Sequence, residues 1–176
     1  MLIFLLIRNV FLLYILYLLV KKICERIDFS RDLVIVEYGP GNGPFTKYIL
    51  EKMSAGSKLI AIETNKKFVE YLSQIKDERL YVSHDSAEHI LDIMNAGKFG
   101  RADFVVSGIP FSFLKARIRD KIIKDSHTIL KPHGHFLVYQ VRPGIKIHLA
   151  NYFPKIETKK YKLNIPGLYL DRKSTR

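Results

Sequence analysis

From residue 33 onwards, short apolar runs alternate with stretches in which apolar side chains recur at every third or fourth position. The short runs are rich in β-branched and aromatic residues and predict buried strands, whereas the periodic stretches predict amphipathic helices. Strands are predicted at residues 33–37, 58–63, 80–83, 102–107 and 135–141. Helices are predicted at residues 45–53, 66–75, 87–94 and 113–130. This alternation is typical of an α/β domain.

The predicted strands are apolar throughout, which favours a parallel sheet covered by helices on both faces. Residues 155–170 have strand character with no helical stretch between them, so an antiparallel hairpin is expected at the sheet edge. The Pro166–Gly167 pair supplies a turn signal for this hairpin. We therefore predict a Rossmann-like three-layer α/β/α sandwich in one domain, which a length of 176 residues accommodates.

The first twenty residues are almost entirely apolar, and Arg8 and Asn9 are their only strongly polar side chains. Their length matches a bilayer span, and basic residues follow at positions 21, 22 and 26. The two polar side chains make a simple span costly, and no small-residue cleavage site follows the run. A helix lying on a membrane or packed on the domain remains open. We divide the chain into an N-terminal apolar helix, residues 1–28, and a main domain, residues 29–176.

The chain is strongly basic, with 29 Lys and Arg against 17 Asp and Glu and a formal net charge of +12. Such a charge favours a polyanionic partner, either nucleic acid or an anionic lipid surface. Cys24 is the single cysteine, which excludes an intrachain disulfide and a cysteine-based metal site. The six histidines show no ligand spacing with carboxylates, so no metal is predicted.

A glycine-rich turn, residues 39–43, separates the first predicted strand from the first predicted helix. Glycines at this carboxyl end of a strand allow a ligand to approach the backbone closely. The spacing is G-x-G-x-G and not the G-x-G-x-x-G of dinucleotide binding, so a pyrophosphate cradle is not the best match. Glu37, just ahead of the turn, is expected to accept from the ammonium group of a ligand without phosphates.

Two more carboxylates follow the next two strands. Glu63 ends the second strand, where it can accept from both hydroxyls of a ribose. Asp85 follows the third strand, where it can accept from an adenine amino group. Each alone is more often a solvated strand-end charge, and Asp85 with Ser86 can cap the next helix. Three carboxylates at successive strand ends indicate one shared site.

With these motifs, residues 33–141 resemble the class I S-adenosylmethionine-dependent methyltransferases. The resemblance implies a transferase with S-adenosylmethionine as cofactor and a mostly parallel seven-stranded sheet whose last strand is antiparallel. It also implies a set of cofactor-binding residues in the main domain. These are Glu37, Tyr38, Gly39, Gly41, Asn42, Gly43, Glu63, Thr64, Asp85, Ser86 and Ser107.

The end of the fourth strand bears on the methyl acceptor. Ile109-Pro110-Phe111 is similar to the motif of the rRNA adenine dimethyltransferases, but Gly108 stands where that family has asparagine. Ser107-Gly108-x-Pro110 is instead similar to the bacterial phospholipid N-methyltransferases. Residues 134–140 and 164–166 resemble that family too, although Gly167 replaces a proline usual there. The residues expected at the reacting centre are Ser107, Ile109, Phe111 and Tyr139.

The second family implies N-methylation of a phospholipid amine such as phosphatidylethanolamine. For such an acceptor, Phe111 and Tyr139 are candidates to hold a methylated ammonium by cation–π attraction, and the alternative is that both side chains simply pack in the core. The N-terminal helix and nearby basic residues then suit docking at the cytoplasmic face of a membrane. An RNA adenine N6-methyltransferase, a small-molecule methyltransferase and a non-catalytic module that keeps the cofactor pocket remain open. For these alternatives a cytoplasmic location is expected.

Overall fold

The structure is a computed structural model that describes residues 17–140, 144–161 and 168–174, with the backbone alone at Gln140, 159–161 and 168–174. Its strands, in chain order β1 to β7, are Val34–Tyr38, Lys58–Glu63, Leu80–His84, Ala102–Ser107, Leu130–Gln140, Lys155–Tyr161 and Leu168–Ser174. Helix α1 is described over residues 17–24. Helices α2 to α6 are Pro44–Lys52, Lys66–Leu72, Ile90–Ala96, Ala116–Ile129 and Ile145–Leu149. Two 3₁₀ turns lie at Ala87–His89 and Phe111–Phe113.

The described strands form one sheet in the order β3-β2-β1-β4-β5-β7-β6. Strands β1 to β5 pair in parallel, and β7 is antiparallel to both β5 and β6. The chain order reverses direction at β1, so the carboxyl ends of β1 and β4 border a topological switch point. The predicted Rossmann-like α/β class is confirmed.

Alternate residues of the central strands enter two separate apolar layers, as the period of two in a strand requires. In β1, Val36 and Tyr38 pack in the layer that contains α4, α5 and α6, whereas Ile35 packs in the layer that contains α1 and α2. Strands β2, β4 and β5 divide their side chains in the same way. The sheet is therefore covered on both faces.

Helix α1 packs on the domain through the described part of the N-terminal segment. Leu19, Val20, Ile23 and Ile27 are buried in the same layer as the side chains of α2. Residues 1–16, which hold most of the predicted apolar helix, lie outside the described residues. Among the residues that are described, no helix is long and apolar enough to cross a membrane.

Several elements differ from the sequence prediction by more than a residue or two at their ends. Helix α6 was missed, and α3 is shorter than predicted because it ends at Leu72. Strand β5 begins at Leu130 and not near residue 135: His133 takes a positive φ of 64°, and the pairing with β4 shifts register there, so the strand continues through a bulge. The long helix begins at Ala116, after a separate 3₁₀ turn. The Pro166–Gly167 turn lies outside the described residues.

Candidate functional site

The glycine turn after β1 is built from left-handed backbone. Gly39, Gly41 and Gly43 have φ of 65°, 57° and 75°, a region that side chains with a Cβ rarely adopt. The Gly39 amide donates to the carbonyl of Ile62 at 3.0 Å, which fixes the start of the turn against β2. Gly43 is the residue that precedes α2. The turn therefore presents bare backbone between the ends of β1 and β2.

Glu63 holds the turn in place. Its Oε2 accepts from the Gly41 amide at 3.0 Å, and its Oε1 accepts from the Asn65 amide at 2.8 Å. The side chain is buried but lines the cleft described below. A carboxylate oxygen has a second lone pair, so Glu63 keeps acceptor capacity toward a ligand.

Glu37 is fully buried at the end of β1. Its Oε2 accepts from the Thr46 hydroxyl at 2.6 Å, whereas its Oε1 has no hydrogen-bond partner among the described residues. Burial, with a smaller contribution from the nearby Glu63 carboxylate, raises the pKa of this carboxyl to about 7, although the hydrogen bond from Thr46 acts in the opposite direction. A buried acceptor without a partner is costly and points to a missing cationic or donor group.

Asp85 follows β3, and one of its two carboxylate oxygens is hydrogen-bonded within the chain. Its Oδ1 accepts from the Ser86 amide and pairs with His89 Nδ1, both at 2.6 Å. The hydrogen bond with His89 lowers the pKa of Asp85 below its usual range. Ser86 caps the following 3₁₀ turn by accepting from the Glu88 amide, so the predicted helix cap is present beside the acceptor. Both of these hydrogen bonds use Oδ1, and no described residue donates to Asp85 Oδ2, so this second oxygen can accept from a ligand.

A cleft of about 470 Å³ lies at the carboxyl edge of the sheet. It joins the glycine turn to the ends of β2, β3 and β4, where ligands bind in open α/β sheets. Of the residues predicted for the site, it brings together Gly39, Gly41, Glu63, Thr64, Asp85, Ser86 and Ile109. Apolar residues of α3, the 109–114 loop and α5 complete the wall: Phe68, Pro110, Leu114, Ile118 and Ile122.

Three predicted site residues place their side chains elsewhere, which corrects the prediction for them. The Tyr38 hydroxyl pairs with Ser126 at 3.0 Å in the core, so only its backbone is near the turn. Ser107 is buried and its hydroxyl accepts from the Ile109 amide at 3.3 Å, which shapes the loop. Phe111 is buried edge-on to Phe136 and does not line the cleft.

Asn42 and Gly43 do not line the cleft either. Asn42 is exposed, and Gly43 is buried beneath α3. Sequence reasoning missed His89 and Phe68. The i, i+4 spacing of Asp85 and His89 was a signal for their pairing, since these positions meet on one side of a helical turn.

The Tyr139 side chain packs against the backbone of Gly108, which follows the end of β4. A Cβ added to Gly108 would lie 2.4 Å from the Tyr139 hydroxyl, closer than any real contact. The Tyr139 ring stacks on Phe45, with centroids 4.3 Å apart and an angle of 16° between the planes. Burial raises the pKa of Tyr139 well above its ordinary value, with Glu37 adding to the effect, so its hydroxyl stays protonated.

Residues 17–97 match the family model "Ribosomal RNA adenine dimethylase". An "Ornithine lipid N-methyltransferase" from Singulisphaera acidiphila is 26% identical over 114 residues, which cover 64% of this chain and 59% of the relative. A "Ribosomal RNA small subunit methyltransferase A" from Malacoplasma penetrans is 29% identical over 104 residues, which cover 59% of this chain and 36% of the relative. The chain therefore spans less than two thirds of either relative.

Solved structures share the fold at low sequence identity. The N-methyltransferase NodS from Bradyrhizobium japonicum with S-adenosyl-L-homocysteine has a TM-score of 0.71 at 12% identity, covering 90% of this chain and 85% of that one. A SAM dependent methyltransferase from Aquifex aeolicus has a TM-score of 0.66 at 12% identity and covers 89% of both chains. These likenesses show that the chain has the fold of the S-adenosylmethionine-dependent methyltransferases. The family match over residues 17–97 and the two relatives support a methyltransferase of this class.

Proposed function

We propose that this protein N-methylates the amine of a phospholipid head group, such as phosphatidylethanolamine, at the cytoplasmic face of a membrane. The class supports a methyltransferase that uses S-adenosylmethionine. The choice of acceptor rests on the residues at the end of β4.

The cleft fits the cofactor on two observations. Glu37 is fully buried and is not among the residues that line the cleft, but it stands in β1 two residues before the glycine turn, and its unpartnered Oε1 suits the ammonium group of the amino-acid part. The bare turn at Gly39 and Gly41, which does line the cleft, leaves room for close backbone contact. Glu63 and Asp85, on the same cleft, suit the ribose hydroxyls and the adenine amino group. When bound, S-adenosylmethionine supplies an electrophilic methyl group on a positively charged sulfur.

The observation that carries the lipid amine is the packing of Tyr139 against Gly108. Adenine recognition in the related RNA enzymes is expected to need an asparagine at position 108, and here the Tyr139 hydroxyl occupies the space of that side chain. A protonated tyrosine hydroxyl can accept from one amine N–H. Ile109, Leu114 and Ile118 give this part of the cleft an apolar wall, and an apolar surrounding favours the neutral form of an amine, which has a free lone pair.

The similarity to both relatives bears on this choice. The match to the rRNA family covers residues 17–97, which contain the glycine turn, Glu63 and Asp85 but not residues 107–111. It therefore supports the cofactor half of the site more than the acceptor half. The relative from Singulisphaera acidiphila is named an ornithine lipid N-methyltransferase, which supports a lipid acceptor. The relative from Malacoplasma penetrans is named a ribosomal RNA methyltransferase, so RNA adenine is the second candidate acceptor.

The test is methyl transfer from labelled cofactor to three acceptors. Purified full-length chain is incubated with phosphatidylethanolamine vesicles, with phosphatidylcholine vesicles as the matched lipid without a free amine, or with total RNA. We expect label in phosphatidylethanolamine alone. Label in RNA would contradict the proposal. So would methylation of a small amine by a chain that transfers no label to the vesicles or to RNA. Tyr139→Phe, which keeps the stacking on Phe45, is expected to lower the rate with lipid and leave cofactor affinity unchanged.

A further inference from the structure

A second, smaller pocket of about 250 Å³ adjoins the cleft. The two share a wall: Pro110 and Ile118 line the cleft, while the residues that follow them, Phe111 and Arg119, line the pocket. Gly144, Ile145 and His148 close its other side, from the beginning of α6. Of the residues predicted for the reacting centre, Phe111 alone lines this pocket, and none of the predicted cofactor-binding residues lines it.

The pocket is built around a guanidinium with unused donors. Only 17% of the Arg119 side chain is exposed, and its Nε donates to Asp120 Oδ1 at 3.4 Å. Its two terminal nitrogens have no hydrogen-bond partner in the described part of the chain. His148 Nδ1 lies 3.6 Å from the same Asp120 oxygen. One carboxylate is thus shared by the Arg119 guanidinium and the His148 ring, which leaves guanidinium N–H donors for an oxyanion with several acceptor oxygens, such as a phosphate.

Exposed apolar and basic side chains come from the same two elements. Phe113 and Ile147 are each 72% exposed, one in the 3₁₀ turn that supplies Phe111 and the other in α6 beside His148. Lys115, Arg117 and Lys146 are exposed in these segments and have no ion-pair partner among the residues described. Apolar tips among unpaired basic residues are typical of surfaces that enter a lipid head-group layer.

We propose that the pocket binds the phosphate of a membrane phospholipid, and that Phe113 and Ile147 enter the bilayer beside it. These two residues, the three basic residues and the pocket are called the docking face. A lipid phosphate held at Arg119 places the amine of the same head group, a few bonds away, at the shared wall of the cleft. This last step rests on the proposed function; the docking itself does not. Ile147 favours a bilayer over RNA, because an aliphatic tip gains from burial in lipid and cannot stack on bases.

The first test measures binding of the full chain to vesicles without cofactor, by co-sedimentation with phosphatidylethanolamine and phosphatidylglycerol at limiting lipid. Ile147→Asn is expected to weaken binding about tenfold, since it removes one buried aliphatic side chain. Arg119→Gln is expected to weaken it about fivefold, as loss of one basic group near an anionic surface does. The control, Tyr71→Ser on α3, also removes an exposed apolar side chain and is expected to change nothing.

A second measurement is specific to the docking face and independent of the N-terminal segment. Because Cys24 is buried, Ser112→Cys can be labelled selectively with a polarity-sensitive fluorophore. We expect a blue shift on addition of vesicles at position 112. The control is the same label on Lys98→Cys, which precedes β4 and so lies at the opposite edge of the sheet, where no shift is expected.

The outcomes separate this inference from the proposed function. Equal vesicle binding by Ile147→Asn and the unaltered chain, or no shift at position 112, would overturn the docking face even if lipid becomes methylated. The docking face would be assigned to RNA instead if RNA displaced the labelled chain from vesicles and if Ile147→Asn and Arg119→Gln weakened binding to RNA as much as binding to vesicles. A shift at position 112 with no methyl transfer would keep the docking face and reject the proposed function.

Discussion

The two carboxylate oxygens of Glu63 have both a structural and a binding role. They accept from two backbone amides, and the side chain lines the cleft. Glu63→Ala removes the acceptor for the ribose and loosens the turn at Gly41. We expect the affinity for S-adenosylhomocysteine to fall 10- to 100-fold, or about 1.5–3 kcal/mol for lost hydrogen bonds to a charged group. Isothermal titration measures this change. Glu70→Ala, an exposed carboxylate on α3, is the control; equal affinities for the two variants would count against the ribose role.

Glu37 is expected to make the cofactor-free chain sensitive to pH. Its pKa in the fold is raised to about 7 from 4.5, so the stability associated with its neutral form is complete below pH 4.5 and is lost as the pH rises to about 7. The effect is on the order of 3 kcal/mol. Glu37→Gln, which stays neutral, should be more stable than the unaltered chain at pH 8 and equally stable at pH 4.5.

Urea unfolding at several pH values checks this prediction. Glu51→Gln, an exposed carboxylate on α2, is the control and should keep the pH dependence of the unaltered chain. If Glu37→Gln shows that same dependence, the buried carboxyl is not its source. The same variant is expected to bind S-adenosylhomocysteine more weakly, because an amide holds an ammonium group less well than a carboxylate.

At the scale of elements, the central strands were predicted well because their signal is local. Strands β2 and β4 have the predicted bounds, since uninterrupted apolar runs specify a strand buried on both faces. Helix α6 has only five residues, too few for a helical period to be recognised in the sequence. The start of β5 was missed because Pro132 and Gly134 suggest a turn, whereas pairing with β4 carries the strand through a bulge.

The link between the glycine turn and α3 can be tested with a matched pair of glycines. Gly43 and Gly100 have nearly equal φ of 75° and 74°. An added Cβ at Gly43 would lie 2.9 Å from Leu72 Cδ2, whereas at Gly100 it meets nothing within 4 Å. Gly100→Ala should therefore cost about 1–2 kcal/mol for backbone strain alone. Gly43→Ala should cost more, because Leu72 must also move.

Thermal or urea unfolding of the two variants gives the comparison. The excess loss in Gly43→Ala measures the packing between the turn and α3. Equal losses of unfolding free energy in the two variants would mean that Leu72 moves aside at no cost and that its packing does not stabilise the turn. Cofactor affinity is expected to fall in Gly43→Ala only, since the turn shapes the cleft and Gly100 does not line it.

At the scale of the whole molecule, the sequence predicts which strand ends carry the site but not which side chains turn into it. Glu63, Thr64, Asp85 and Ile109 follow from strand order, because carboxyl ends of parallel strands meet at one edge. Phe111 and Tyr139 depend on packing across the sheet, between residues far apart in sequence. The pairing of Tyr139 with Gly108 becomes visible only when β4 and β5 lie side by side.

Asp103 ties three strands together at the edge of the sheet opposite the cleft. Its oxygens accept from the Val34 amide at 2.9 Å, from Lys131 at 2.8 Å and from Arg31 at 2.8 Å. Although burial alone would raise the pKa of this carboxyl, these donors hold it below its usual range. Its contribution to stability is therefore present above the unfolded pKa of about 3.8 and is lost as the pH falls through the lower folded value.

Asp103→Asn should accordingly destabilise the chain at neutral pH by about 1–3 kcal/mol, a value kept modest because Lys131 and Arg31 are partly exposed. Urea unfolding should show this loss shrinking as the pH is lowered. Because the substitution lies at the amino edge, titration with S-adenosylhomocysteine below the unfolding transition should give an unchanged affinity. A parallel loss of affinity would mean that the two edges of the sheet are coupled, and that Glu63 and Asp85 owe their positions to contacts across the whole sheet.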